Sequence, residues 1–95
     1  MPQFYNDAAR LLLTLTRLGL TIDPSLDARD LIHRMAVLIQ LYVSNMPEIT
    51  HASAARSILD DIIRTDHVRH NGNTHRLTAV IGTVLGNIQS ARHSG

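Results

Sequence analysis

Apolar residues recur every three or four positions in four stretches of this 95-residue chain, and three short breaks separate the stretches. The breaks are "TIDPS" around Pro24, "NMPEIT" around Pro47 and "HNGNT" around Gly72. Proline fixes φ and removes a donor, and Asn-Gly readily takes the positive φ that a turn needs. The spacing predicts helices over about 4–18, 26–45, 51–68 and 74–92. In the first, Ala8, Leu11, Leu12, Leu15 and Leu18 share a stripe opposite Asp7, Arg10, Thr14 and Arg17. Leu13 and Leu20 fall off that stripe. The third has Thr50 as N-cap, an apolar face of Ala55, Ile58, Leu59 and Ile62, and a charged ladder of Arg56, Asp60 and Arg64. The fourth carries Leu77, Val80, Ile81, Val84, Leu85 and Ile88 as its stripe. No segment shows the alternation of a strand, and no internal repeat is visible.

The second segment departs from simple amphipathicity. Asp27 and Asp30 suit its start, and Asp30 with Arg34 offers an i, i+4 pair. From Met35 to Val43, however, only Gln40 is polar, so this helix needs cover on several sides. Four helices of similar length with short connections predict an all-α chain, a single domain folded as a four-helix antiparallel bundle, and the surplus apolar surface predicts a dimer. In that arrangement the connections between helices one and two and between three and four lie at one end. Asp23, Asp27 and Asp30 would then stand near Arg64, Arg69, Arg76 and the histidines of the same stretch as an internal charge match.

Composition narrows the function by exclusion. Nine arginines and no lysine against seven aspartates and one glutamate give a net charge of +1, far from the basic excess of a typical nucleic-acid-binding domain. With no cysteine there is no disulfide framework, thiolate nucleophile or cysteine-based metal centre. The longest apolar run, Met35 to Ile39, is too short to span a bilayer. The N-terminal stretch lacks a basic n-region and a small-residue cleavage site, so it reads as the first helix of a cytoplasmic protein with no membrane contact. No G-x-S-x-G elbow is present, and the single glutamate, Glu48, falls in a loop, so neither a hydrolytic triad nor a two-carboxylate site can be assembled. The chain is read as a non-enzyme with no cofactor.

The most chemical-looking stretch is "RTDHVRHNGNTHR", 64–76, with three histidines and three arginines around an Asn-Gly turn. His67, His70 and His75 could converge on a metal, but an H-x-x-H spacing without the H-E-x-x-H pattern recurs by chance. Arg64, Arg69, His70, His75 and Arg76 could contact an anion or nucleic acid. The structural alternative carries most weight: histidine and arginine in a last helical turn complement the carbonyl end of the helix dipole. Only Phe4, Tyr5 and Tyr42 are aromatic, so base-stacking platforms are lacking.

In the fourth helix Gly82 and Gly86 each cost ~1 kcal/mol relative to alanine. With Thr78 and Ser90 they form a row of small residues against which another helix, of this chain or a second copy, can pack closely; alternatively the helix breaks near Gly86. The reading is a small protein-binding module, an adaptor, regulator or inhibitor, acting by stoichiometric binding as a homodimer. Its interface is drawn from Met35, Val37, Leu38, Ile39, Leu41, Tyr42, Val43, Gly82 and Gly86. The first alternative is a nucleic-acid-binding dimer using Arg64, Arg69 and Arg76; the second is the histidine metal site.

Overall fold

The computed structural model describes residues 2–45, 50–65, 68–71 and 73–94. Four helices dominate these residues: α1 (Pro2–Arg17), α2 (Ala28–Asn45), α3 (His51–Ile63) and α4 (Thr74–Ser94). The mostly helical expectation stands, with two amendments. Two three-residue strands, β1 (Leu20–Ile22) and β2 (Val68–His70), pair antiparallel, and α3 ends at Ile63 rather than continuing to 68.

Local chemistry sets the boundaries. Gly19 follows α1 with φ of 115°, a conformation that only glycine takes cheaply, and turns the chain directly into β1. The Asp27 carboxylate accepts from the Arg29 backbone N–H at the head of α2, at 3.0 Å. Thr50 caps α3 as its sequence suggests, its Oγ1 accepting from the Ser53 N–H at 3.2 Å. Asn73 accepts from the His75 N–H at 2.8 Å where α4 begins. Helix α4 then runs through Gly82 and Gly86 to Ser94, so the break expected as one outcome near Gly86 does not occur.

The strands join the two connections. Leu20 faces His70, Thr21 faces Arg69 and Ile22 faces Val68, and the Asn71 N–H donates to the Gly19 carbonyl at 3.0 Å one step further out. The connection between α1 and α2 therefore meets the connection between α3 and α4. The sequence pattern shows no repeat, yet the element order helix–strand–helix occurs twice. Ala8, Leu11, Leu12 and Leu15 of α1 correspond in spacing and burial to Ala55, Ile58, Leu59 and Ile62 of α3; Leu31, Met35 and Ile39 of α2 correspond to Leu77, Ile81 and Leu85 of α4. Helix α1 packs mainly on α2 and α3 mainly on α4; α2 also touches α3 and α4, which places it between the two halves.

One contiguous apolar core results, fed by all four helices and both strands. Among the described residues no polar or charged side chain is buried. Leu20, expected to be surplus to a small core, is buried as the first residue of β1.

Because the ribbon begins where Gly19 turns, Gly19→Ala is expected to destabilise the protein by about 1–3 kcal/mol. Thermal melting and faster hydrogen exchange at the Asn71 amide would record it. An unchanged melting temperature would contradict the role given to this glycine.

Candidate functional site

The all-round apolar character of α2 resolves into two parts. Met35, Ala36, Ile39 and Val43 lie in the core, and Leu38 and Tyr42 are half-buried against it. These four core residues meet the need for cover within the chain itself, because α2 has neighbours on several sides. Of the interface residues expected from the sequence, Met35, Ile39 and Val43 are therefore unavailable to a partner. Val37 and Leu41 remain 43% and 45% exposed, one helical turn apart on the outer face. Around them lie His33, Gln40 and Ser44, also exposed, so the centre of this face carries no carboxylate, guanidinium or ammonium group. Leu13 is the other large exposed apolar residue, on the far side of α1 from the core.

Arg34 borders the Val37 face. The expected pairing with Asp30 is not made; Arg34 instead reaches across to Asp61 of α3, with Nη2 at 3.0 Å from both carboxylate oxygens. A same-helix pair would have cost side-chain freedom for little gain at an exposed site, whereas the cross-helix pair also ties α2 to α3. His33, Arg34, Val37, Leu38 and Asp61 together line a shallow hollow. On α3, Arg56 pairs with Asp60 at 3.3 Å, and Arg64, the expected third rung, caps the helix instead.

The described part of the stretch 64–76 contains β2 and the start of α4. Arg64 follows α3, Arg69 and His70 belong to β2, and His75 and Arg76 occupy the first turn of α4; all five are exposed. The dipole explanation inferred from the sequence fits Arg64 alone. Arg69 and His70 are in a strand, and His75 and Arg76 stand at the positive end of α4, where cations are disfavoured. Among the described residues, the aspartates expected to meet these arginines make no ion pair with them. Asp27 is engaged by Arg29, and among the described residues Arg64, Arg69 and Arg76 make no ion pair. As for a metal, His67 lies outside the described residues, as does Glu48, and among the described residues no three ligating side chains gather.

A groove between α3 and α4, about 560 Å³ in volume, is lined by Ala52, Arg56, His75, Thr78, Ala79, Gly82 and Thr83. The row of small residues on α4 signalled one wall, Thr78 and Gly82; the other wall could not be read, because Ala52 and Arg56 come from a helix whose register against α4 is set by tertiary packing. Gly86 is half-buried one turn beyond Gly82. Among the described residues no helix is long and apolar enough to cross a membrane. Comparisons with protein-family models, with curated proteins and with solved structures found no match.

Asp7 is the one carboxylate in an unfavourable setting among the described residues. Its Oδ2 is covered and makes no hydrogen bond, and desolvation raises its pKa above 3.8, partly opposed by Arg10. A raised folded-state pKa means that the stabilising contribution is complete below the ordinary carboxylate value and is lost as pH rises through the raised one. Asp7→Asn is therefore expected to raise the melting temperature at pH 7, with the gain shrinking as pH falls through the raised value and gone below 3.8. Equal melting curves at pH 7 would show that the covered oxygen costs nothing.

Proposed function

We propose that this chain is a small, non-enzymatic protein-binding module, an antiparallel four-helix bundle that regulates or bridges larger partners as a homodimer. The observation that carries the reading is the outer face of α2, where Val37 and Leu41 stand exposed on a patch without charge. An uncharged apolar patch can face its own copy without repulsion, as a twofold interface requires. The charges bordering it select the orientation. A parallel pair of α2 helices would set Arg34 against Arg34 and Asp30 against Asp30. An antiparallel pair centred between Val37 and Leu41 sets each Val37 against Leu41 of the second copy and each Arg34 against Ser44. The antiparallel pair is the one without like-charge opposition.

Two exposed side chains per copy, with Leu38 beside them, fall short of the roughly 1,200–2,000 Å² that a stable interface buries. The dimer is accordingly expected to be reversible, forming at micromolar concentration.

Light scattering across a concentration series tests this reading. The expected outcome is a mass rising from monomer to dimer, and a Val37→Glu or Leu41→Glu chain that stays monomeric with nearly unchanged melting. Val43→Glu serves as a contrast, because Val43 is in the core: it should lower the melting temperature by about 10 °C or more for a chain of this size. A wild-type chain that remains monomeric at high micromolar concentration would overturn the proposal.

A further inference from the structure

We infer that the groove between α3 and α4 binds a small aromatic acid, a phenol-like ring carrying a carboxylate. This site does not depend on the α2 dimer; it follows from setting the two halves of the chain against each other. Leu11 and Leu15 of α1 match Ile58 and Ile62 of α3, and Met35 and Ile39 of α2 match Ile81 and Leu85 of α4, all of them buried. The ribbon obeys the same exchange. Taking Leu20 to Val68 and Ile22 to His70 turns the Leu20–His70 pair into the Val68–Ile22 pair, so the ladder maps onto itself. Carried along the helices, the correspondence puts Ala52 where the first half has Tyr5, and His75, Thr78, Ala79 and Gly82 where it has Arg29, Ile32, His33 and Ala36.

In the first half the matching space is filled. The half-buried Tyr5 ring lies against the His33 imidazole, with centroids 5.8 Å apart and planes tilted by 51°. Arg29 stands close enough to feel the Tyr5 hydroxyl: its guanidinium is held above its ordinary value mainly by Asp27 and to a smaller extent by Tyr5. In the second half both ring positions are alanines, and Ala52 and Ala79 line one groove of about 560 Å³. Residues that match a touching pair therefore share one hollow, which is the space the Tyr5 ring occupies in the first half. The remaining exchanges widen it further. Thr78 replaces the larger Ile32, and Gly82 replaces the buried Ala36 at a cost in helix stability.

The first half thus shows the occupant that fits, an aromatic ring with a hydroxyl. The volume lies within the roughly 300–1,000 Å³ of small-molecule sites and leaves room for a short substituent beyond the ring. The lining sets the charge of that substituent, because it contains Arg56 and His75 and no carboxylate. Arg56 bonds Asp60 through Nε at 3.3 Å, which leaves its Nη groups for a ligand carboxylate. The Thr78 and Thr83 hydroxyls donate to the carbonyls of Thr74 and Ala79, at 2.7 and 3.0 Å, so toward the groove they can accept from a ligand hydroxyl.

Chemical-shift titration of the isotope-labelled full chain tests the site, with para-hydroxyphenylacetate as probe and tyramine, the same ring with the opposite charge, as its counterpart. Saturable shifts are expected at the amides of Ala52, Ala79, Gly82 and Thr83, with a Kd of about 1 mM or tighter for the acid and binding of tyramine at least about tenfold weaker. Ala52→Tyr, which rebuilds the Tyr5 position, should lose about tenfold or more in affinity while its melting temperature holds or rises. Gly82→Ala, which restores the methyl of Ala36 and favours the helix, should also weaken binding, and it serves where Ala52→Tyr folds poorly. No saturable shift, shifts centred elsewhere, or binding that survives both substitutions would overturn the site. Tyramine bound as tightly as the acid would overturn the ligand class. Binding of a tyrosine-bearing peptide with none of the free acid would overturn the small-molecule reading and assign the groove to a protein partner.

Discussion

The pairing of β1 with β2 is the constraint on which the arrangement of this molecule depends. Six residues of ribbon would not hold alone. Here Leu20 and Val68 are buried in the common core, and the Gly19 carbonyl closes the ribbon on the Asn71 N–H. Register matters more than length, because a slip of one residue would turn Val68 out and Arg69 into the core. The observed register keeps Arg69 and Thr21 outside and joins the segment after α1 to the segment after α3.

The same constraint decides what α2 can offer to a partner. Helix α2 lies against α1 and also touches α3 and α4. These contacts absorb Met35, Ala36, Ile39 and Val43, and the Arg34–Asp61 pair fixes the rotation of α2 against α3. Val37 and Leu41 stay exposed, Val37 beside the hollow that Arg34 and Asp61 line. A modest apolar patch on one face is what these contacts leave exposed on α2.

The helices were legible because their signal is local. Stripes such as Ala8, Leu11, Leu12 and Leu15 repeat at the helical period, and Thr50 announces the start of α3. The strands were not legible: "LTI" and "VRH" are too short to display alternation, and what makes "VRH" a strand is a partner segment more than forty residues earlier. Helix three was extended too far for the same reason, since 64–67 continues an acceptable helical composition until β2 claims Val68. The surplus on α2 was legible as a quantity but not as a surface, because sequence cannot say which of Met35 to Val43 a neighbouring helix will cover. The unpaired arginines were visible as residues, and only the placement of α4 showed that a helix dipole does not explain Arg69 and Arg76.

The most direct test of this account is a two-dimensional NOE spectrum of the protein in solution, read at the ribbon. Antiparallel pairing in the observed register predicts cross-strand backbone contacts between Leu20 and His70 and between Ile22 and Val68, linking the two halves of the chain. Contacts displaced by one residue, or none between 20–22 and 68–70, would contradict it, because this pairing is what joins the two helix–strand–helix halves through their connections.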